Sequence, residues 1–495
     1  MAAQQVDIAN LMASSGVQFG TSGIRGLVSD MTDEVCWLYV SAFIQYLKAD
    51  NQLRVGGEIG IAGDLRASSP RIMAAAALAI VDHGCIPIYC GLIPSPAIAL
   101  YGLHRNIPTM MVTGSHIPDD RNGIKFNKLA GEILKPDELA IRGQGVVLPN
   151  DKFDQQGMLM SSTDLPDAIP DANAHYISRF TDFFPEACLL GKHIGLYEHS
   201  SVSRDCFKTI LQALGATVTS LARSDRFMPV DTEAIRPEDV ALAKQWAKAH
   251  DFDCIISTDG DGDRPLISDE NGNWLRGDIA GVLCARYLGV DKVVTPVSSN
   301  SVVEKSHYFE QVVRTRIGSP YVIEGMTALL LEHKAVAGYE ANGGFLQASE
   351  LSLAENTLSP LPTRDAVIVP ITILLLADKV AMPISGLLNT LPKRFTASDR
   401  LKNFSTELSQ SILASMQTKD REQDLKAIQH RFPTMGTPVS IDMTDGMRMT
   451  FDNDDIVHLR PSGNAPELRC YTESSTQERA EQLNQDCIAL MKQWH

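Results

Sequence analysis

Short apolar runs alternate with helix-like stretches in three successive parts of the chain, and each part ends in a polar loop. Runs such as MMV and CII have no alternating polar positions, which is typical of parallel strands covered on both faces. The predicted strand-to-loop segments are residues 109–116, 253–263 and 335–344. Because ligands gather at the carboxyl ends of such strands, we expect each part to offer one loop to a shared cleft.

The stretches before these strands have helical periodicity. We predict a helix over 71–84 followed by a strand over 85–90, then a helix, turn and strand over 205–221, and a helix over 321–334. Amphipathic helices placed between apolar strands predict an α/β fold with parallel sheets.

The pattern changes near residue 391. A polar helix is predicted over 404–430, strands over 438–443 and 447–451, and a final helix over 476–494, which together indicate a smaller α+β domain. The Gly- and Pro-containing stretch 143–167 is typical of a linker, and the second part should end near 265–275. These signals predict four domains, with the boundaries 1–160, 161–270, 271–390 and 391–495.

Length and composition agree with this division. A chain of 495 residues is too long for one core, since domains average about 100–200 residues. The apolar content of 44% and charged content of 21% are typical of a globular protein. The net charge of −16 disfavours nucleic acid as a partner, because nucleic-acid-binding domains present a basic face.

The cysteines and apolar runs indicate in which cellular compartment the protein is expected. The nine cysteines show no C-x-x-C spacing, which favours free thiols in a reducing environment. The N-terminal stretch lacks the basic and apolar regions of a secretory signal. The longest apolar runs, 72–81 and 366–377, are too short to span a bilayer. We therefore expect a cytoplasmic protein that does not bind membranes.

The loop TGSHIPDDRNGIKF (113–126) contains a candidate nucleophile. A phosphoryl group can be exchanged through a positioned serine hydroxyl with a base nearby, and Ser115 is followed by His116. Lys125 is a candidate acid/base group or counter-charge for phosphate. The alternative is a solvated turn whose serine caps a helix. Arg66 is a candidate for orienting this loop, and an equal alternative for its segment is helix capping by Ser68 or Ser69.

The loop DGDGDR (259–264) contains a candidate metal site. Asp259, Asp261 and Asp263 alternate with glycines, so their carboxylates can converge on one cation, and oxygen ligands suit Mg²⁺. A calcium EF-hand is disfavoured, because Arg264 occupies the position that needs glycine and a strand precedes the loop where that motif needs a helix.

Three further loops are candidates for ligand binding. FGTSGIRG (19–26) offers glycines for close approach and Arg25 for a phosphate, and the alternative is a surface turn. GYEANGGF (338–345) offers Glu340 and Asn342 for neighbouring hydroxyls, and the alternative is a hairpin or helix-start turn. RPSGNAPELR (460–469) could cradle a phosphate, although it could equally be a solvated loop. Its candidate contacts are Arg460, Ser462, Gly463, Asn464 and Arg469.

In this order, from about residue 19 to about residue 471, these loops resemble those of the α-D-phosphohexomutase superfamily. The resemblance implies three similar α/β domains with mixed sheets plus a smaller C-terminal α+β domain around a central cleft. It also implies that Ser115 carries a phosphoryl group and, with the three aspartates, holds Mg²⁺.

The resemblance implies roles for the remaining candidates. Arg25 and Arg264 would bind the transferring phosphoryl, and His116 and Lys125 match positions associated with proton transfer. The loop with Glu340 and Asn342 would bind the sugar hydroxyls, and the 460–469 loop would hold the phosphate that is not reacting.

The implied activity is interconversion of hexose 6-phosphate and hexose 1-phosphate through phosphoserine and a bisphosphorylated sugar. A catalytic trace of hexose 1,6-bisphosphate would be needed, and the protein would be a monomer or dimer. The variants GYEANGG and TRIGSPY favour mannose phosphate, with glucose phosphate next and glucosamine phosphate less favoured. TGSHIP replaces the commoner T-A-S-H-N-P, and Ser319 stands where many members have His.

Alternatives outside the mutases are a non-catalytic sugar-phosphate binding protein and a phosphatase. The intact Ser115, His116 and three aspartates argue against the binding protein, because a binder needs no nucleophile.

Overall fold

The computed structural model describes residues 4–161, 164–330, 334–418, 420–462 and 466–494. The chain forms two compact units, the first comprising Met1–Asp291 with Gly318–Gly386 and the second Lys292–Ile317 with Leu387–His495. Within the described residues, no helix is both long and apolar enough to cross a membrane.

Residues 4–148 contain a mixed sheet covered by helices. Its strands follow the order β2-β3-β7-β6-β4-β5, with β4 parallel to β5 and β6, and β7 antiparallel to β6. The elements are β1 (Gln4–Asp7), α1 (Ile8–Ser15), β2 (Gln18–Phe19), β3 (Gly23–Leu27), α2 (Asp33–Ala49), β4 (Glu58–Gly63), α3 (Ser69–Asp82), β5 (Ile86–Leu92), α4 (Ser95–Arg105), β6 (Thr109–Val112), β7 (Arg121–Lys128), β8 (Gly131–Glu132), α5 (Lys135–Arg142) and β9 (Gly145–Leu148).

Helices α2 and α3 pack their apolar faces into the core of this sheet. The buried residues of α3 include Ala75, Ala76 and Ala79 together with Ile72 and Ile80. The predicted helix 71–84 and strand 85–90 correspond to α3 and β5. The predicted linker 143–167 was partly wrong, because β9 pairs antiparallel with β1 at its start.

The second sheet has the order β11-β10-β12-β13, in which β10 is parallel to β11 and β12, and β13 is antiparallel to β12. All five residues of β12 are buried, as the apolar run predicted. The elements are α6 (Asp171–Thr181), β10 (His193–Tyr197), α7 (Arg204–Ala213), β11 (Thr217–Leu221), α8 (Pro237–Ala249), β12 (Cys254–Thr258) and β13 (Pro265–Ile267).

The third region contributes to both units. In the first unit, β16, β17 and β20 are successive antiparallel strands, and in the second unit β14 and β15 pair in parallel. The elements are α9 (Gly277–Tyr287), β14 (Lys292–Pro296), α10 (Val302–Lys305), β15 (Gln311–Thr315), α11 (Ser319–Leu329), β16 (Val336–Tyr339), β17 (Phe345–Gln347), β18 (Leu351–Leu353), β19 (Asn356–Leu358), β20 (Leu361–Asp365), α12 (Ile368–Lys379) and α13 (Ile384–Asn389).

The C-terminal region is an antiparallel sheet of order β21-β25-β24-β23-β22. The predicted single helix 404–430 is two helices, because Asp420 caps the second by accepting the N–H of Glu422 at 2.9 Å. The elements are β21 (Phe395–Lys402), α14 (Thr406–Ser415), α15 (Arg421–Arg431), β22 (Pro438–Asp442), β23 (Met447–Phe451), β24 (Ile456–Pro461), β25 (Glu467–Ser474) and α16 (Gln477–Met491).

Candidate functional site

Ser115 lies three residues after the end of β6 in a left-handed backbone conformation, with φ of 54°. Its N–H donates to Thr113 Oγ1 at 2.7 Å, and the residue is buried. A positive φ at a residue other than glycine is costly, so the surrounding contacts must hold it.

Arg66 supplies much of that support. Its guanidinium is buried, pairs with Asp64 through Nε at 3.2 Å and stacks on Phe227 at 3.9 Å. It donates to four backbone carbonyls of the serine loop, those of Ser115 (2.9 Å), Ile117 (2.6 Å), Pro118 (2.8 Å) and Arg121 (3.0 Å). The prediction that Arg66 orients this loop is confirmed.

The aspartate loop follows β12 and meets Ser115. One carboxylate oxygen from each of Asp259, Asp261 and Asp263 lies within 4.8 Å of the others, and all three residues are buried. Ser115 Oγ donates to Asp259 Oδ2 at 2.5 Å. Gly260 permits this approach, because a Cβ there would lie 2.8 Å from the carbonyl oxygen of Ser115.

The carboxylates fit a divalent cation. Asp261 Oδ1 and Asp263 Oδ1 are buried and accept no hydrogen bond from any described residue. Buried acceptors without partners are costly, and a hard cation with oxygen ligands would satisfy them. The predicted convergence of the three aspartates is confirmed.

Lys125, on β7, lies between two of these carboxylates. Its Nζ donates to Asp261 Oδ2 and Asp263 Oδ2, each at 2.6 Å. Burial lowers the pKa of Lys125, but the two carboxylates outweigh it and the net shift is upward. Lys125 is therefore a cation in this arrangement.

The three aspartates titrate differently. Burial, with repulsion from Asp261 and Asp263, raises the pKa of Asp259 well above its usual range. Burial also opposes ionisation of Asp261 and Asp263, but Lys125 outweighs it at Asp261 and the nearby cations outweigh it at Asp263, so both pKa values are lowered. The cluster therefore concentrates negative charge on Asp261 and Asp263.

His116 is neutral. Burial, followed by the positive charge of Arg264, lowers the pKa of His116 to about 3. Arg264 Nη1 lies 2.9 Å from His116 Nδ1, and a guanidinium only donates, so Nδ1 is the acceptor and Nε2 carries the hydrogen. Ser115 Oγ is 3.3 Å from the same Nδ1.

A cleft opens beside Ser115. Strand β3 places Arg25 opposite Gly123 of β7, and both the 20–25 segment and Lys125 line the cleft. Its lining also includes Ser115, Arg264 and Arg364. Three guanidinium groups and an ammonium in one cleft favour an anionic ligand.

Glu340 and Asn342 make different contacts in the loop 338–345. Glu340 Oε2 accepts from Arg364 Nη1 at 3.1 Å, so it joins the cluster. Asn342 shapes the loop instead, because its Oδ1 accepts the Gly344 N–H at 3.0 Å and its carbonyl accepts Thr232 Oγ1 at 2.7 Å. The role of Asn342 in sugar binding stays a prediction.

Two residues of this cluster were not predicted from the sequence. Arg364 Nε donates to Asp263 Oδ2 at 2.9 Å, and an arginine next to the long apolar run 366–377 was a signal for a buried charge. Ser95, between two prolines at the start of α4, donates to Asp261 Oδ2 through Oγ and to its carbonyl through N–H at 2.9 Å. Nothing local in the sequence singles out Ser95.

The predicted phosphate loop lies in the second unit. Arg460 Nε pairs with Asp445 at 2.8 Å, and Arg460 stands opposite Arg469 across β24 and β25. Ser462 is buried, and its N–H donates to the Glu467 carbonyl at 2.9 Å. Gly463 and Asn464 lie outside the described residues, so the phosphate cradle stays a prediction.

Four family models match the chain in succession. They describe phosphoglucomutase/phosphomannomutase alpha/beta/alpha domains I (residues 16–144), II (175–272) and III (276–395) and the C-terminal domain (415–490). The predicted four-domain architecture is confirmed, while the boundaries at 160, 270 and 390 stay predictions.

Curated relatives cover nearly the whole chain. A phosphomannomutase of Salmonella muenchen is 45% identical over 95% of both chains. A phosphomannomutase of Sinorhizobium fredii is 40% identical over 96% of this chain and 99% of its own.

Solved structures share the fold. A putative phosphomannomutase from Thermus thermophilus superposes with a TM-score of 0.73 at 17% identity, covering 96% of this chain and 99% of its own. An Aspergillus fumigatus N-acetylphosphoglucosamine mutase, solved with GlcNAc-6P and magnesium, has a TM-score of 0.59 at 12% identity, covering 98% and 99%.

Proposed function

Because this chain belongs to the phosphoglucomutase/phosphomannomutase family, we propose that it is a phosphomannomutase, which interconverts mannose 6-phosphate and mannose 1-phosphate. Membership in the family confirms the prediction of a phosphohexomutase. The observation that carries the proposal is Ser115 Oγ, 2.5 Å from Asp259 within a cluster of three buried carboxylates.

Ser115 is assigned as the residue that carries the phosphoryl group. Transfer breaks its Oγ–P bond and forms an O–P bond to a hydroxyl of the hexose phosphate, giving a bisphosphorylated sugar. After this intermediate turns over, Ser115 takes back the other phosphoryl, so a trace of hexose 1,6-bisphosphate is expected to keep the enzyme phosphorylated.

The carboxylates of Asp259, Asp261 and Asp263, with the Ser115 phosphoryl, are assigned to hold Mg²⁺. The ion would neutralise charge on the phosphoryl oxygens during transfer. Lys125, Arg25 and Arg264 add fixed positive charge around the same position, which stabilises the transferring group in a buried site.

His116 is assigned to accept the proton of the attacking hydroxyl. It is neutral at physiological pH, and its acceptor atom Nδ1 is covered by Arg264. A phosphoryl group that took the Arg264 donor would free Nδ1 to accept a proton. Lys125, held as a cation, is assigned to charge neutralisation and proton donation.

Mannose is proposed as the sugar because two curated relatives at 45% and 40% identity are phosphomannomutases. Glu340 is assigned to the sugar hydroxyls. The assignment of the non-reacting phosphate to the 460–469 loop, a monomeric or dimeric state and a cytoplasmic location stay predictions.

The test is a coupled assay with Mg²⁺ and a trace of sugar bisphosphate, run separately on mannose, glucose and glucosamine 1-phosphates. We expect the highest kcat/KM for mannose 1-phosphate. A higher value for glucose 1-phosphate would assign the protein as a phosphoglucomutase, and release of inorganic phosphate without isomerisation would indicate a phosphatase.

Ser115→Ala tests the nucleophile. We expect it to abolish turnover while hexose phosphate binding, measured by calorimetry, is retained. Ser29→Ala, at an exposed serine, is the matched control and should keep full activity. Turnover that survives Ser115→Ala would contradict the phosphoserine mechanism.

A further inference from the structure

We propose that Arg364 competes with the divalent cation for Asp263 and thereby links cation binding at the metal loop (259–264) to the sugar loop (338–345). The inference rests on the proposed function, since it takes the aspartates as cation ligands and Glu340 as a sugar ligand. Arg364 is treated as a positioning residue that acts through these two carboxylates.

Arg364 connects the two loops directly. Its Nε donates to Asp263 Oδ2 at 2.9 Å and its Nη1 donates to Glu340 Oε2 at 3.1 Å. All three side chains are buried. A buried guanidinium shared between two carboxylates ties the charge of one to the position of the other.

The sugar loop is shaped around this arginine. A Cβ added at Gly344 would lie 2.4 Å from Arg364 Cδ and 2.5 Å from its Cγ. The loop therefore packs its backbone on the aliphatic stem of Arg364, while Glu340 accepts from the guanidinium. Any movement of Arg364 must be transmitted to this loop, because close-packed atoms cannot interpenetrate.

The strand that carries Arg364 is anchored by a carboxylate of the first sheet. Glu132, on β8, is buried and accepts Thr363 Oγ1 at 2.5 Å and Ser319 Oγ at 2.9 Å. Thr363 precedes Arg364 on β20, so the strand that carries the arginine is held at a fixed position. Ser319 is used in this anchor and is completely buried.

Competition follows from charge. Asp263 Oδ2 already accepts from Arg364 and Lys125, whereas Oδ1 accepts no hydrogen bond from the described residues and lies 3.8 Å from Arg264 Nε. A cation bound to Asp263 would lie beside the guanidinium, and like charges at short range repel. Cation binding therefore weakens the Arg364–Asp263 pair and leaves Glu340 as the main partner of the guanidinium.

The test measures binding by calorimetry in the full-length Ser115→Ala background, with MgCl₂ and mannose 1-phosphate as separate probes. Arg364→Gln removes the competing charge, so the Kd for Mg²⁺ should fall by roughly fivefold, a typical coupling between linked sites. The Kd for mannose 1-phosphate should rise by at least a similar factor, because Glu340 becomes an unpaired carboxylate facing an anionic ligand.

Opposite changes in the two Kd values distinguish this role from damage to the fold, which would weaken the binding of both ligands. Arg394→Gln is the matched control, because Arg394 forms a buried ion pair with Glu473 at 2.6 Å in the second unit. We expect Arg394→Gln to change neither Kd. Weaker binding of both ligands by Arg364→Gln, or no change in either, would overturn the proposal.

A second variant keeps the proposal testable if Arg364→Gln does not fold. Glu340→Gln leaves the guanidinium to Asp263 alone, so Mg²⁺ should bind more weakly. Mg²⁺ binding that is unchanged or tighter in Glu340→Gln would contradict the coupling. These binding results do not depend on turnover, whereas the isomerisation assay alone decides the proposed function.

Discussion

At the scale of single residues, one buried arginine decides how the candidate nucleophile is presented. Arg66 donates to four carbonyl oxygens of the loop that carries Ser115, and it is shielded from solvent. A planar guanidinium can serve these acceptors together because its donors point in several directions, whereas an ammonium is a single point.

Arg66→Lys should therefore lower both stability and activity more than its conservation of charge suggests. Carbonyls left unpaired should lower the free energy of unfolding by about 3 kcal/mol, measured by urea unfolding. Misplacement of Ser115 should lower kcat by about 100-fold. Arg54→Lys, at an exposed arginine, should change neither quantity. An unchanged kcat in Arg66→Lys would show that the Ser115 loop keeps its conformation without the Arg66 hydrogen bonds.

Much of this residue chemistry was predictable. Ser115, the three aspartates and Glu340 stand in loops that follow apolar strands, so their grouping could be expected from local pattern. Arg364 and Ser95 could not be placed in this way, because their partners Asp263 and Asp261 are distant in sequence. Only the packing of separate elements brings these pairs together.

At the scale of elements, two strand-to-loop units meet through a glycine. A Cβ at Gly260 would lie 2.8 Å from the Ser115 carbonyl oxygen and 2.9 Å from the ring of Phe227. The loops after β6 and β12 can therefore approach closely only while this position lacks a side chain.

Gly260→Ala should separate the two loops. We expect kcat to fall by about 100-fold with a smaller change in KM, because the distance between Ser115 and Asp259 changes. Gly143→Ala is the matched control, since a Cβ there meets only ordinary contacts at 3.6 Å. Steady-state kinetics of both variants provide the measurement. Equal kcat values for Gly260→Ala and Gly143→Ala would show that the two loops do not need a glycine at position 260.

The fold was predicted better for strands and short helices than for the polar C-terminal region. The apolar runs predicted β6 and β12 correctly, because a strand that is buried on both faces has a continuous run of apolar residues. The prediction of one helix over 404–430 was wrong. Polar residues such as Asp can stand on the exposed face of a helix or cap its N-terminus, and the local sequence does not distinguish the two positions.

At the scale of the whole molecule, each compact unit contains a buried neutral histidine. His199 in the first unit donates from Nε2 to the Thr258 carbonyl at 2.8 Å, and His458 in the second to the Asp445 carbonyl at 2.6 Å. Burial lowers the pKa of each to about 4, from 6.5 in the unfolded chain.

Stability should therefore fall as the pH falls from 6.5 to about 4, because the unfolded chain binds protons that the folded units exclude. Below that window each histidine should have removed about 3 kcal/mol of stability. His199→Gln and His458→Gln keep a donor and do not titrate, so each should flatten this dependence. Unfolding measured at several pH values checks it, with His250→Gln, at an exposed histidine, as control. An unchanged slope in both variants would contradict the argument.

The sequence by itself determined which chemical groups the candidate site contains. A serine after one buried strand and three alternating aspartates after another indicate a candidate nucleophile and a candidate oxygen-ligand metal site, because short-range pattern controls both strand burial and the composition of the loop that follows. Order and spacing of the loops then specified the family.

Only the tertiary structure decided how these charges are balanced. Lys125 bridges Asp261 and Asp263 from 136 and 138 residues away, and Arg364 reaches Asp263 from a third region of the chain. Coulomb energy depends on distance in space and on burial, neither of which is encoded by spacing along the chain. The partner of each buried charge was therefore decided by packing.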